Sequence, residues 1–541
     1  MKIIILSFFI LVSSSSLVWS QQDAWVFFTD KEDVEASINN PISILTQKAI
    51  DRKTLHNVAI DERDVPVNEV YITDIKSQTG ITVLAKSKWM NCVHVRGDLD
   101  DIEDLENLSF VTSIEFADKS LTRNTDTSLF IKEDPQVTQT RASYNYGATE
   151  NQITMLNVNT LHEQDYTGEG LTIAVMDSGF PGVSTNGGFS RLRDAGKLMD
   201  GYDFVDREDN EFTFTGSTHG ARVVSDIVGF IEDEFVGTAP DAAIYCFRTE
   251  DVANENPVEE SYWVEAAERA DSLGVDIINT SLGYRTFDNP NYDYTYQDMN
   301  GETAFISRGA TLAFEKGILV VTSAGNSGAG MISAPADASG AFTVGAVDSN
   351  GNYASFSSIG PSSDGRIKPD VVAKGQSSAV IDQNNNITTS SGTSFSSPIM
   401  AGAIASFWQV NRERSNEEVM AIIRESSSIF ENPTPELGFG IPDFEEALGG
   451  ILSVNDNAFA KTETPLYQIQ PNPTIDTAVL ILPENISSVE VEVYDLLGKK
   501  VISYKAEVTV TTIPVSNLKS GIYLVQISDG QTIATQKLIK S

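Results

Sequence analysis

Between residues 171 and 410 the chain alternates short apolar runs with stretches of helical periodicity, and few folds accept that pattern. Leu171 to Met176, Ala243 to Phe247, Val275 to Asn279 and Gly317 to Val321 read as strands. Between them, Trp263, Ala266, Ala267, Ala270 and Leu273 recur at helical spacing within 258–273, and Ala221, Val224, Ile227 and Val228 form a second stripe. Ser415-Asn416-Glu417-Glu418 is a capping box opening a further helix. The pattern predicts an α/β fold: a doubly wound, mainly parallel sheet with helices on both faces. A hydrophobic share of 41% is enough for a real core, and 541 residues imply several domains.

Open sheets of this kind build their sites at the carboxyl ends of the strands. Asp177 ends the first run, and Ser178-Gly179 turns the chain straight after it. Asn326 follows the run 317–321 in Ser323-Ala324-Gly325-Asn326-Ser327-Gly328, where a side-chain amide is free to point outward. Gly392-Thr393-Ser394 precedes the helix-like run Ile399 to Trp408, so a serine stands between a glycine turn and a helix start. Such a serine exposes its hydroxyl and has a backbone N–H close by for an oxyanion. Taken singly, these residues are also ordinary turn and cap residues.

Histidine allows elimination, because the chain holds only His56, His94, His162 and His219. None follows Ser394, which excludes a Ser, Asp, His order, and neither G-x-S-x-G nor H-E-x-x-H occurs. What remains is acid, base, nucleophile. His219 opens the helical stripe 221–228, where the helix dipole favours the neutral imidazole that a general base requires.

Residues from about 145 to 450 resemble a subtilisin-like serine protease (subtilase, peptidase family S8). Ala174-Val175-Met176-Asp177-Ser178-Gly179 matches the aspartate motif, and His219-Gly220 with Val223 and Ser225 the histidine motif. Ser323-Ala324-Gly325-Asn326 matches the oxyanion motif, and Gly392-Thr393-Ser394 with Ser396 and Pro398 the serine motif. Ala221 departs from the family, which usually has a hydroxyl residue there. The resemblance implies a secreted endopeptidase in which Asp177, His219 and Ser394 form a triad and Asn326 serves the oxyanion. It also implies a substrate strand pairing with Ser281, Leu282 and Gly283, a second flanking strand at 256–260, and pocket walls at Ala324-Gly325 and Pro335-Ala336. Glu259 and Glu260 read as a solvated acidic face. No cofactor is required. An inactive surface-displayed scaffold or binding protein is the alternative, which labelling by a fluorophosphonate decides.

Residues 1–20 read as a secretory signal peptide: a positive start, an apolar core, and a small residue before Gln21. No later stretch is long and apolar enough to span a bilayer, so the mature protein is expected to lack a transmembrane helix. Residues 21–140 hold strand-like runs at 81–85, 92–95 and 110–116 around an acidic helix candidate at 98–108. Their position resembles the subtilase propeptide, an α+β domain cut off at maturation, with the cut expected in 119–140. Cys92 then leaves with the propeptide, and Cys246 reads as a buried small hydrophobe.

The peptidase domain is expected over 141–450 and a linker over 451–465. Residues 466–541 show alternating runs at 489–494 and 522–527, a small antiparallel β-sandwich pattern. This tail resembles the C-terminal sorting domain of type IX secretion cargo through Pro471-Asn472-Pro473, Leu496 to Lys499, Ser520 to Val525 and Lys537 to Ser541. The resemblance implies export across the outer membrane, followed by release or surface attachment. From 461 on there are seven lysines and eight acids, so nearly all of the formal charge of −39 lies upstream. Such a balance argues against nucleic acid as a partner. Structural calcium is frequent in the family, and Glu232-Asp233-Glu234 and the loop 293–301 are the two acidic candidates, although neither completes a calcium loop.

Overall fold

The structure is a computed structural model that describes residues 21–121, 144–449 and, between 468 and 540, the tail strands with part of their connections. The expected leader, the linker 451–465 and most of the expected cleavage segment lie outside the described residues. The chain divides into two compact units, Met1–Gly450 and Ile451–Ser541.

The first unit begins with an antiparallel sheet of β1 (Gln22–Phe28), β2 (Thr82–Ser87), β3 (Cys92–Gly97) and β4 (Val111–Phe116), in the order β2-β3-β1-β4. The two-residue period of β1 decides what each face does. Ala24, Val26 and Phe28 pack with Val93, Val95, Ile72 and Ile75 in a core of their own. Trp25 faces the other way, stacked on Phe305 with ring centroids 4.6 Å apart.

The central sheet comprises β5 (Thr172–Asp177), β6 (Tyr202–Asp203), β9 (Ala243–Arg248), β10 (Ile277–Thr280), β11 (Leu319–Ser323), β12 (Ala341–Val347) and β13 (Val371–Lys374). Between β6 and β9 lies a hairpin of β7 (Phe230–Ile231) and β8 (Phe235–Val236). The seven strands run parallel in the order β13-β12-β11-β10-β5-β9-β6. Strands buried on both faces need helices on both sides, which is why β5 and β10 to β13 are buried throughout. Ala174, Met176, Ile278 and Val320 share one core with Trp263 and Phe305 of the helices Val258–Leu273 and Phe305–Glu315. The helices His219–Val228 and Thr393–Trp408 pack on each other and against the sheet as well.

Connections run from β5 toward β9 on one side and then return to β10 on the other. The strand order therefore reverses between β5 and β10, and at that crevice open sheets bind ligands.

In the tail, Lys500–Ala506, Val489–Asp495, Gly521–Ser528 and Ile533–Lys540 form one antiparallel sheet in that order, and Gln468–Gln470, Ala478–Ile481 and Val510–Ile513 a second. Leu480, Val491, Val525 and Leu538 are buried in one core.

Candidate active site

Asp177 is the last residue of β5 and is fully buried. Its Oδ1 accepts hydrogen bonds from the Ser178 N–H at 2.7 Å and the Ser178 hydroxyl at 3.1 Å. His219 opens its helix with Nδ1 at 2.8 and 2.9 Å from the two carboxylate oxygens. Two serines join the acid loop to the histidine turn. The Ser178 and Ser217 hydroxyls are 2.8 Å apart, and Ser217 Oγ accepts the His219 N–H at 3.3 Å.

The electrostatics of this pair follow from two opposed effects. Burial disfavours the imidazolium, but the charge of Asp177 and its hydrogen bond outweigh burial, so the His219 pKa lies above its ordinary value. Glu250 adds to that field. Its own carboxyl is pushed up to about 8 by burial and by Glu255, while the Tyr284 hydroxyl donates to it at 2.9 Å.

The other three histidines are committed elsewhere. His162 is buried between the Tyr146 hydroxyl and the Thr238 carbonyl, with burial lowering its pKa to about 4. His56 meets the Arg412 carbonyl, and His94 meets Asp23 and Ser261.

Ser394 is the second residue of the helix Thr393–Trp408. Gly392 makes the approach possible with φ +152°, a conformation side chains resist. First-turn amides have no acceptor inside their helix, and the Ser394 N–H is one of them. The Ser394 hydroxyl donates to the Ser281 carbonyl at 3.3 Å, and the Ser281 hydroxyl donates back to the Ser394 carbonyl at 2.9 Å. The His219 ring lies against Phe395, centroids 5.6 Å apart, which puts the imidazole beside the serine turn. Asn279 extends the link, accepting from Ser397 at 2.9 Å and donating to Ser281 at 3.2 Å.

Asn326 sits on the loop after β11. Its Oδ1 accepts from the Thr393 N–H at 2.9 Å and the Thr393 hydroxyl at 3.1 Å, which leaves Nδ2 as the free donor. The Thr393 hydroxyl also accepts the Gly325 N–H at 3.2 Å, so one threonine holds the Asn326 loop and the serine helix together.

A cleft of about 550 Å³ is lined by Ser394, Asn326, Gly325, Ser281, Leu282 and Gly283, together with Ser333, Arg285, Glu255 and Asp288. Ala324 is instead buried behind it with Ile332 and Ala336. Residues 258–260 start a helix, so the second flanking segment is a loop ending at Pro257 and not a strand. Glu259 and Glu260 are both buried and do not form a solvated face. Glu259 accepts the N–H groups of Asp251 and Asn256, and Glu260 accepts the Tyr294 hydroxyl and the Ile306 N–H.

Residues 232–234 form the exposed β7–β8 turn. Asp298 is taken up by Thr295 and by Lys119, whose ammonium is 3.1 Å away. No group of three or more possible ligands occurs among the described residues. Nor is any described helix long and apolar enough to cross a membrane.

Several of these residues lack a sequence signal of their own. Ser217 and Thr393 stand beside the motif residues, but Asn279, Glu250 and Arg285 are brought to the site only by the sheet and its loops.

Comparison with known proteins adds three matches along the chain: the peptidase S8 propeptide domain of Bacteroidota over residues 23–131, the subtilase family over 168–449, and the secretion system C-terminal sorting domain over 468–541. The alkaline protease of Alkalihalobacillus alcalophilus is 29% identical, across 59% of this chain and 73% of that one. The M-protease of Shouchella clausii is 26% identical, across 75% and 94%. The crystal structure of MycP1 from the ESX-1 type VII secretion system is 20% identical with a TM-score of 0.45, covering 58% of this chain and 90% of that one. Since the family match alone spans more than half of its length, this chain belongs to the subtilase family, as a serine endopeptidase made with a propeptide and exported by a sorting tail.

Proposed function

We propose that Ser394 is the nucleophile, His219 the general base and then acid, and Asp177 the group that fixes and stabilises the imidazolium. Ser394 Oγ attacks the peptide carbonyl as its proton passes to His219 Nε2. The same proton then goes to the leaving amine, and water repeats the sequence on the acyl-enzyme. Asn326 Nδ2 and the Ser394 N–H hold the oxyanion. The carrying observation is the His219–Asp177 pair at 2.8 Å, set at the reversal of strand order with Ser394 and Asn326 lining one cleft. The Ser394 hydroxyl rests on the Ser281 carbonyl, and nucleophile–base hydrogen bonds commonly tighten only once substrate is bound.

The substrate class is an extended segment of protein, paired as an added strand along Ser281–Gly283. The test is casein hydrolysis by the secreted enzyme and by Ser394→Ala, with fluorophosphonate labelling of both. Near-complete loss of hydrolysis and of labelling in the variant is expected, and undiminished hydrolysis would refute the assignment.

A further inference from the structure

The pocket beside Ser394 has an unusual lining for a site that must hold a side chain. Ser281–Gly283 line one side of it and Ser323, Gly325 and Asn326 another, with Ser333 also in the lining. A Cβ on Gly283 would stand 2.9 Å from the Ser333 Cβ, and one on Gly325, where φ is +104°, 3.0 Å from the Ser333 hydroxyl. Both glycines thus keep open the space beside Ser333. Leu282 and Phe287 are the apolar lining residues. The rest of the surface is glycine, hydroxyl, amide and charge.

Arg285 follows Gly283 by two residues. Its Nη1 lies 3.7 Å from where a Gly330 Cβ would stand, so the guanidinium reaches across to the loop that follows Asn326. It lines the cleft without an ion-pair partner among the described residues. Asp288, three residues on, instead accepts the Glu255 N–H at 3.1 Å, and the Asp288 N–H donates to the Glu255 carbonyl at 3.0 Å. An arginine offers several donors in a fixed fork that matches a carboxylate.

We propose that Arg285 makes the enzyme prefer an acidic side chain, glutamate or aspartate, in the residue whose carbonyl Ser394 attacks. This rests on the proposed function and names the substrate class of the same site. Glu255 and Asp288 line the same cleft and favour a basic side chain, so they compete with Arg285 and the substrate series separates the two effects.

The experiment compares peptide anilides that differ only in the residue before the cut (Glu, Gln, Phe or Lys), using the enzyme as secreted and matured. Glu and Gln have nearly the same shape, so their ratio of kcat/KM isolates charge, and a general loss of activity cancels within each enzyme. At low ionic strength we expect Glu to exceed Gln by about ten-fold, with the ratio falling as salt is added. Arg285→Gln removes the preference, and Arg285→Glu turns it toward Lys. A Glu/Gln ratio at or below one, an unchanged ratio in Arg285→Gln, or a Lys preference in the native enzyme would each overturn the proposal. Failure to cleave every peptide and casein would instead refute the proposed function beneath it.

Discussion

Asp177 is acceptor to four hydrogen bonds at once, two from Ser178 and the bifurcated contact from His219. That saturation is what lets a charge stay buried at the end of a strand. It also sets the pH dependence. Because the carboxylate holds the His219 proton more tightly than water does, the imidazole loses it at a pH above its ordinary value, about 6.5. A general base must be neutral, so kcat/KM should rise with pH along an acid limb displaced upward from that value. Asp177→Asn removes the charge, which should move the limb down and lower kcat on the order of 10⁴-fold. The pH profile of each enzyme checks both effects. Asn326→Ala should cost roughly 10²–10³ in kcat with little change in KM, the size seen when subtilisin loses its oxyanion amide.

Elements whose own residues carry their burial pattern are legible in the sequence. The helix Val258–Leu273 has the span its stripe predicts, and Ser415 caps the helix Asn416–Glu425 through a reciprocal bond with Glu418. Strands β5, β9, β10 and β11 fall within a residue or two of the expected runs. The motif serine was legible too, because Gly392 and the helix start are local signals. What was not legible depends on partners hundreds of residues away. β1 has no free-standing pattern, since both its faces are covered, one by its own block and one by Phe305. Glu259 and Glu260 look like surface acids until the loops 251–256 and 294–306 supply their donors.

The N-terminal block is held to the same helix by a buried ion cluster. Asp271 meets Arg52 and Lys53, while Lys53 and Lys316 both meet Asp64, with the side chains of all five nearly inaccessible. Burial alone would raise the Asp271 pKa, but the charges of Lys53 and Arg52 reverse that and hold it well below the carboxylate range. A depressed carboxylate stabilises the contact above its unfolded pKa of about 3.9 and loses that effect as pH falls through the folded value. The contact is therefore strongest near neutrality. In the uncut Ser394→Ala chain, Asp271→Asn should cost about 3–5 kcal/mol, because it leaves two buried cations short of an anion. Urea unfolding at pH 7 measures the loss, and the two chains should converge in strong acid.

At the scale of the whole molecule, chemistry and address are written in separate units. The proposed catalytic residues all lie in the first, and the tail closes a core of its own around Val491, Val493, Val525 and Leu538. Their surfaces differ as well: the tail is almost neutral, while the rest carries nearly the whole charge of −39. Like charges make the acidic unit repel its own copies at long range, and the almost neutral tail adds little to that repulsion. Asp177, His219, Ser394 and all seven strands of the central sheet fall within the first unit. Deletion of 466–541 should consequently leave an enzyme that still hydrolyses casein in cell extracts but accumulates in the periplasm, with none in the medium or on the cell surface. Fractionation with activity assays in each compartment reads both at once. Normal export of the truncated chain would show that the address lies upstream, and loss of activity in every fraction would show that folding of the catalytic unit depends on the tail.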